Sequence, residues 1–140
     1  MKEEELIKRL KKRNLKVTAH RLQLLEEIDR YSGAMPYTQL QSNLQEMDRV
    51  TLYRTINALL EKGLIHKASA HEQENYYALC EDSCEAQAHN HQHIHFKCEH
   101  CKKIYCLPLS SQLNLETGSF KVHSFEVLAT GICESCVSKT

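Results

Sequence analysis

The chain has few glycines, no long apolar run and no cysteine in its first 79 residues. Only four glycines occur among 140 residues, and none builds the glycine-rich loop that cradles phosphate in nucleotide-binding enzymes. No nucleophile with a neighbouring base is apparent either, so we do not expect an enzyme. No run approaches the length of a membrane span, and the opening residues "MKEEELIKRLKKRN" lack the apolar segment of a secretory signal. These absences predict a cytoplasmic protein without a membrane partner.

The formal net charge is zero, which argues against a long basic arm or an acidic tail, but the charge is unevenly distributed. Residues 1–67 hold 13 Lys and Arg against 9 Asp and Glu, a net charge of +4, whereas residues 68–140 hold 5 against 9, a net charge of −4. All seven cysteines lie at position 80 or beyond, and seven of the nine histidines lie beyond position 67. A basic front part and a Cys/His-rich rear part suggest two modules with different tasks.

Apolar and capping residues in the front part predict four helices followed by a hairpin. Thr18 and Asp48 are of the type that caps helix N-termini, and Gly63 suits the position just past a helix end. "LIHKASA" and "NYYAL" favour two short strands joined by the polar "HEQE". This order predicts a winged helix-turn-helix over residues 1–79. The fourth helix has an apolar stripe with the period of an amphipathic helix: Leu52, Ile56, Leu59 and Leu60.

The side of this fourth helix opposite its stripe carries Arg54 and Asn57, with Tyr53 on the flank. Arginine can contact guanine edges or phosphate, and tyrosine can contact a thymine methyl group, so this surface suits a major groove. The alternative is an ordinary solvated helix face, which periodicity alone does not exclude. The preceding helices and the hairpin favour DNA binding. Basic residues nearer the N-terminus could bind the flanking phosphates: Lys12, Arg13 and Lys16.

The sequence changes character from residue 80 onward. Residues 80–92, "CEDSCEAQAHNHQ", are polar and predict a linker or loop. Residues 93–140 predict a small α+β module, with strands in "HIHFKC" and "KKIYCL", a helix in "LSSQLNLETG" and a longer strand in "FKVHSFEVLATGIC". Because large apolar residues are few here, we expect this module to need a partner subunit and a bound metal. The predicted fold class is α+β, a winged helix followed by a small α/β dimerisation domain.

The rear part contains two C-x-x-C pairs, "CEHC" at 98–101 and "CESC" at 133–136. Each pair can place two thiolates on one ion, and two pairs complete a closed tetrahedral zinc site. In a cytosolic protein, cysteines at this spacing are more often metal ligands than disulfides. A redox C-x-x-C is the alternative, but it would need no second pair. We therefore predict a structural Zn²⁺ held by four cysteines: Cys98, Cys101, Cys133 and Cys136.

Other histidines and cysteines predict a second metal site between the modules. His93 and His95 stand at alternate positions of a strand, where side chains share one face. His66 begins the predicted hairpin and Cys80 ends it, so a site that also drew on these two residues would bridge the modules. Mixed nitrogen and sulfur ligation suits Zn²⁺ better than iron or manganese. The predicted sensory zinc ligands are His66, Cys80, His93 and His95.

Several ligand-type residues stay open. Cys106 and His91 are further candidates for the sensory site, and Cys106 could replace one of its ligands. His91 and Cys84 could also build another site. Isolated histidines are more simply interpreted as surface residues: His71, His89 and His100.

Four stretches occur here in the same order as in the ferric uptake regulator superfamily: "NLKVTAHRLQLLEEI", "VTLYRTINALLEKGLI", the H-x-H before "CEHC", and "GICESC". The chain resembles that superfamily over nearly its whole length. The resemblance implies a homodimer whose winged helices bind palindromic DNA operators and whose C-terminal domains dimerise. It also implies DNA contacts at Lys16, Tyr53 and Arg54, and a structural zinc at the four paired cysteines.

Departures from the family pattern indicate the branch. The iron and peroxide branches generally have a hinge histidine where this chain has Ala34, an H-H-D-H run where it has "QHIH", and a carboxylate where it has Cys106. Conversely, "GLIHK" followed by "YYALC" is similar to the zinc uptake regulator branch, whose sensory site uses the positions of His66, Cys80 and the histidines near 93–95.

The resemblance therefore implies a zinc-responsive DNA-binding transcriptional repressor that controls metal-uptake genes. Two alternatives remain: an iron- or peroxide-responsive regulator of the same superfamily, and a zinc-buffering protein. Pure zinc storage would leave Tyr53 and Arg54 without a role.

Overall fold

The structure, a computed structural model, describes residues 2–31, 33–68, 74–80, 93–108, 116–123 and 127–139. It has the predicted α+β architecture, and none of its helices within these ranges is long and apolar enough to cross a membrane. The elements follow in this order: α1 (Glu3–Lys12), α2 (Ala19–Arg30), β1 (Met35–Pro36), α3 (Tyr37–Asn43), α4 (Arg49–Glu61), β2 (Ile65–Ala68), β3 (Tyr76–Leu79), β4 (His93–Cys98), β5 (Ile104–Pro108), β6 (Val127–Gly131) and α5 (Glu134–Val137).

The predicted caps set the limits of α2 and α4. The Thr18 hydroxyl accepts a hydrogen bond from the backbone N–H of Arg21 at 3.2 Å, and the Asp48 carboxylate accepts one from Thr51 at 2.7 Å. Each bond satisfies a backbone donor that the start of a helix leaves without an intrahelical partner. Gly63 follows α4 with a φ of +74°, a left-handed conformation that glycine adopts readily. The predicted starts and the predicted end are confirmed.

The apolar stripe of α4 packs into the core of the front part. Leu52, Ile56 and Leu59 are at most 3% exposed, and Leu60 is partly buried against the same core. Truncating one such leucine to alanine typically costs about 2–5 kcal/mol. Because this stripe is used for packing, the opposite face of α4 is left to solvent. Buried partners come from the other three helices: Leu6, Leu10, Leu24, Leu25, Ile28 and Leu40.

A three-stranded sheet in the order β1-β3-β2 completes the winged helix. β2 and β3 form the predicted antiparallel hairpin, with His66 opposite Ala78, and residues 69–73 of their connection lie outside the described residues. β1 pairs with β3, and the sequence shows no sign of it because two residues are too few for an alternating pattern. The wing ends at Cys80, whose backbone N–H donates to the carbonyl of Leu64 at 3.0 Å.

The rear sheet has the order β5-β4-β6, antiparallel between β4 and β5 and parallel between β4 and β6. The long strand expected in "FKVHSFEVLATGIC" is wrong at its start, because residues 120–123 are exposed and lie outside any strand. Among the residues of this segment that the structure describes, Val127–Gly131 alone pairs with β4. β5 begins at Ile104 because Lys102 adopts a φ of +66° in the preceding turn. The expected helix falls mainly on residues 109–115, outside the described ranges, and residues 116–118 are not helical. Of the expected linker, only Cys80 is described.

The front and rear parts meet along a short backbone seam. Ala34 forms an isolated antiparallel bridge with Ile104, and its N–H donates to the Ile104 carbonyl with the nitrogen 2.5 Å from the oxygen. Nearby, the Lys103 ammonium lies 5.5 Å from the centroid of the Tyr31 ring. β5 therefore contacts the winged helix directly, two residues before Cys106. A small apolar cluster surrounds the bridge: Ala34, Ala68, Tyr76, Ala78, Ile104 and the partly buried Cys106.

Candidate metal centres and nucleic-acid interface

Four cysteine sulfurs converge where the rear sheet meets α5. Cys98 ends β4 and Cys101 follows it in the turn, whereas Cys133 precedes α5 and Cys136 lies within it. The four sulfur atoms all lie within 4.8 Å of one another. The structure thus brings the two C-x-x-C pairs together, as their spacing predicts. The sequence gives no clear sign of α5, a four-residue helix that carries Cys136 back toward Cys133.

Backbone N–H groups favour a thiolate at Cys98. The backbone nitrogens of Cys101 and Cys133 each lie 3.4 Å from Cys98 Sγ. Burial raises the pKa of Cys98, but these donors and the backbone N–H of His100 outweigh burial and lower the pKa to about 5. At Cys136, burial and the neighbouring thiols raise the pKa to about 12. Four close thiols cannot all ionise without a counter-charge, so this set of sulfurs suits a bound cation.

The four-cysteine cage has the dimensions of a tetrahedral thiolate site. Zinc–sulfur bonds of about 2.3 Å would place neighbouring sulfurs about 3.8 Å apart, and Cys101 Sγ lies 3.7 Å from Cys133 Sγ. The Tyr105 hydroxyl donates to Cys133 Sγ at 3.8 Å, and Phe96 packs against the group from the sheet. Four protein sulfurs leave no position for water or substrate, so this centre suits a structural role.

A second cluster lies at the seam between the two parts. It joins His66 of β2, His95 of β4 and Cys106 of β5, and one ligand atom of each lies within 4.8 Å of the others. His95 and Cys106 are direct cross-strand partners, so the antiparallel register puts their side chains on one face. The wing supplies His66, whose Nε2 lies 3.3 Å from Cys106 Sγ and whose ring stacks on that of His95 with centroids 5.9 Å apart. Within the described ranges, no carboxylate joins this cluster.

This cluster overlaps the predicted sensory set without matching it. His66 and His95 belong to both, and Cys106, predicted only as a further candidate, takes a central place. Cys80 lies beside the cluster, with its sulfur 3.4 Å from Nδ1 of His66, the ring nitrogen that does not face Cys106. The backbone of β4 places His93 on the same side as His95. The side chain of His93 and the whole of His91 lie outside the described residues.

Distances and burial in the second cluster suit a soft divalent cation. The distance from Nε2 of His66 to Cys106 Sγ, 3.3 Å, approaches the roughly 3.6 Å expected between imidazole and thiolate ligands of one tetrahedral ion. An ion bound at Nε2 would not reach Cys80, whose sulfur faces Nδ1 on the other side of the ring. Burial raises the pKa of Cys106 to about 11, so its thiol keeps its proton at neutral pH until a cation displaces it. Because the ligands come from both parts, a bound ion would fix the arrangement of the two parts.

The helix α4 presents the predicted DNA-contacting side chains to solvent. Tyr53 is 66% exposed, and Arg54 and Asn57 are also exposed, as is Lys16 before α2. Val50, 57% exposed, lies on the same face one turn before Tyr53 and extends this surface toward the start of the helix. No sequence signal singles out Val50, because an apolar residue in the first turn is usually assigned to the core.

A winged helix with a solvent-facing fourth helix, joined to cysteine and histidine clusters, defines a class of metal-dependent DNA-binding regulators. The family model of the ferric uptake regulator family matches residues 12–132, so the chain belongs to that family. The resemblance of its motifs is thereby confirmed. The protein is a metal-responsive DNA-binding regulator, and its family consists of transcription regulators, not enzymes.

Known proteins similar to the chain include both iron and zinc regulators. The ferric uptake regulation protein of Staphylococcus aureus is 29% identical over 143 residues, which covers 97% of this chain and 98% of that protein. A zinc uptake regulator solved in complex with zinc and DNA superposes with a TM-score of 0.68 and 22% identity, covering 99% of this chain and 97% of that one. The ferric uptake regulator of Helicobacter pylori gives a TM-score of 0.59 and 16% identity, with 98% and 95% covered. At these identities the solved structures establish the fold alone.

Proposed function

We propose that the protein is a zinc-responsive transcriptional repressor that binds operator DNA as a homodimer and controls metal-uptake genes. The observation that carries the proposal is the donor set at the seam, where imidazole and thiol groups converge and no carboxylate from the described residues joins them. Nitrogen and sulfur ligands favour Zn²⁺, whereas carboxylate oxygens are more typical of manganese and non-haem iron sites. The fold is shared with a zinc uptake regulator solved in complex with zinc and DNA, so it is compatible with this function.

The two clusters have different roles in this proposal. A structural Zn²⁺ bound by the four paired cysteines stays in place and stabilises the rear domain. A regulatory Zn²⁺ binds reversibly at the seam, held by His66, His95 and Cys106, with Cys80 as the fourth ligand after a rotation of its side chain or of the His66 ring. His93 is the rival for the fourth position, because it shares a face of β4 with His95.

Single substitutions distinguish the rival fourth ligands. Native mass spectrometry at controlled free zinc should find two zinc ions per wild-type chain, one per chain in Cys80→Ser, and two in His93→Ala. The opposite result, with the second ion lost only from His93→Ala, would give the fourth position to His93. The same measurement on His91→Ala tests the remaining candidate, for which we expect two ions.

Zinc binding at the seam can act as a switch because its ligands converge in only one arrangement of the two parts. A homodimer locked in that arrangement would present its winged helices at the spacing of successive major-groove faces, about 34 Å per helical turn. Shifting the competent form from about 1:99 to 99:1 requires zinc to bind it ~10⁴-fold more tightly, or about 5.5 kcal/mol. Ligands drawn from β2, from the residue that follows β3, and from β4 and β5 would provide such a difference in affinity.

Operator binding in metal buffers tests the zinc response. A duplex selected from a random library by the zinc-loaded protein serves as the probe, and its affinity is measured over a series of free zinc concentrations. We expect the affinity to rise at least about 100-fold as the regulatory site fills, well within the range allowed by the switch. A flat response while the four-cysteine zinc remains bound would falsify the proposal.

A double substitution separates DNA recognition from zinc storage. Tyr53→Ala with Arg54→Ala removes the two predicted groove contacts from an exposed helix face, so folding and metal binding should persist. We expect loss of duplex binding in mobility-shift assays and an unchanged content of two zinc ions per chain. Full DNA affinity in this variant would show that Tyr53 and Arg54 do not contact the groove, whereas a wild type that binds no duplex would favour the zinc-buffering alternative.

One observation favours iron as the second candidate signal: the relative from Staphylococcus aureus is named a ferric uptake regulation protein. An anaerobic titration with Fe²⁺ therefore accompanies the zinc series, on protein whose four-cysteine site is filled. The zinc proposal expects Zn²⁺ to promote DNA binding at free concentrations far below those at which Fe²⁺ acts. The reverse order would identify an iron-responsive regulator, and release of DNA on adding hydrogen peroxide would identify a peroxide-responsive one.

A further inference from the structure

The first helix reaches the regulatory site through one arginine. Arg9, on α1, directs its guanidinium to the end of the wing, where Nη1 donates a hydrogen bond to the backbone carbonyl of Cys80 at 2.8 Å. The two residues are 71 positions apart, and Arg9 is partly buried. This contact joins α1 to the place where β3 ends and the chain leaves the winged helix.

Cys80 is held on both sides of its α-carbon. Its N–H donates to the carbonyl of Leu64 at 3.0 Å, and its carbonyl accepts the bond from Arg9. Fixing both flanking peptide groups restricts the backbone torsions of Cys80 and therefore the direction of its Cα–Cβ bond, whereas the sulfur can still turn about that bond. The side chain is 3% exposed, and its sulfur lies 3.4 Å from Nδ1 of His66.

We infer that Arg9 is a positioning residue for the regulatory metal, because it fixes the backbone of Cys80 beside the cluster, so that only a side-chain rotation is needed to bring the sulfur onto the ion. The inference rests on the proposed function and adds α1 to the parts of the molecule that set metal affinity. Groups that orient a ligand from behind typically contribute about 10–100-fold to metal affinity. An effect of this size would change the free zinc concentration at which the regulator responds.

Arg9→Met keeps most of the apolar stem and removes the donor. With the four-cysteine zinc in place, chelator competition should show at least a tenfold weaker affinity for the second zinc. Cobalt substituted at the regulatory site should show a weaker sulfur-to-cobalt charge-transfer band, because Cys80 is no longer held in place. Arg9→Lys retains a donor and should recover part of the affinity and of the band. If Arg9→Met merely destabilised the fold, Arg9→Lys would not be expected to restore the sulfur-to-cobalt band.

Arg21 supplies a matched control. Its Nη1 also donates to a backbone carbonyl, that of Lys16, at 2.6 Å, and neither residue belongs to a metal cluster. Arg21→Met should therefore bind the second zinc like the wild type. The inference is overturned if Arg9→Met and Arg21→Met weaken this binding equally, or if Arg9→Met has no effect. A wild-type protein that binds no second zinc would overturn the proposed function, and the inference with it.

Discussion

Among single residues, Cys106 has the largest influence on which metal the regulatory cluster prefers. Its sulfur faces Nε2 of His66 at 3.3 Å, and it pairs with His95 across the strands β4 and β5. The resemblance implies that iron and peroxide regulators of this family have a carboxylate at this position. A carboxylate would offer the metal an oxygen ligand in place of sulfur. The difference bears on metal preference, because thiolates favour zinc over iron and manganese whereas carboxylates suit manganese.

Cys106→Asp should lower the affinity for the second Zn²⁺ and reduce the preference of the site for zinc over manganese. We expect at least about a tenfold loss of zinc affinity, since a thiolate ligand is replaced by oxygen. Competition with a chromophoric chelator measures both affinities in protein whose four-cysteine site is filled. Cys106→Ser is the control, because it removes the thiolate without adding a carboxylate and should weaken zinc without any gain for manganese. Wild-type metal preference in Cys106→Asp would show that Cys106 is not a ligand.

Among the elements, the helix α4 depends on Asp48, the residue that caps its N-terminus. The backbone N–H of Thr51 donates to Asp48 and lowers the pKa of that carboxyl from 3.8, and the positive charge of Arg54 lowers the pKa further. A carboxyl group whose pKa is lower in the folded than in the unfolded protein stabilises the fold at pH values above its unfolded pKa. This contribution is lost as the pH falls through the folded value.

Asp48→Ala should lower the melting temperature at pH 7 and should matter progressively less as the pH falls below about 4, the ordinary range of an aspartate. Asp48→Asn keeps a capping group without the charge, so it should recover part of the stability with a weaker dependence on pH. Acid also releases thiolate-bound metal, so each variant is compared with the wild type at the same pH. If the difference in melting temperature between Asp48→Ala and the wild type grew as the pH fell, the role assigned to the carboxylate would be contradicted.

The elements that could be predicted are those with a local chemical signal. Asp48 and Gly63 bounded α4 because capping and left-handed turns need particular residue types. β1 has no such signal, because its two residues depend on pairing with β3. The segment "FKVHSFEVLATGIC" predicts a strand that begins at Phe120, yet the side chains of Phe120 and Val122 are 81% and 46% exposed. The residue types of a segment can favour a strand, but they do not show which neighbour would pair with it or cover it.

The regulatory cluster is a property of the whole molecule, because it exists only where the front and rear parts meet. Local spacing placed His93 and His95 on one side of a strand, but it could not give Cys106 its central position. That position depends on the register of β4 with β5 and on contact with His66, which is 40 positions away. The bridge between Ala34 and Ile104 has no motif in the sequence at all. Metal ligands that are close together in the sequence can therefore be predicted more readily than ligands that meet only when two parts of the fold come into contact.

Gly33 allows the seam to close. It has a φ of +104°, and a Cβ at this position would overlap the carbonyl oxygen of Ile104. Gly118 also has a positive φ, +58°, but a Cβ there would meet nothing within 4 Å. An alanine would have a strained backbone at either position, but it would collide with another atom only at position 33. Comparing the two substitutions therefore distinguishes the effect of strain from the effect of the collision at the seam.

Gly33→Ala should push β5 away from Ala34 and so displace Cys106 from His66. We expect about a tenfold or greater loss of affinity for the second zinc, comparable to the loss of a group that orients a ligand, and a matching loss of zinc-dependent DNA binding. The four-cysteine zinc should remain bound. Gly118→Ala should destabilise the fold by roughly 1–2 kcal/mol from strain alone, measured by denaturant unfolding, and should keep wild-type zinc affinity. Equal zinc affinities in the two variants would mean that contacts other than the Ala34–Ile104 bridge hold the cluster together.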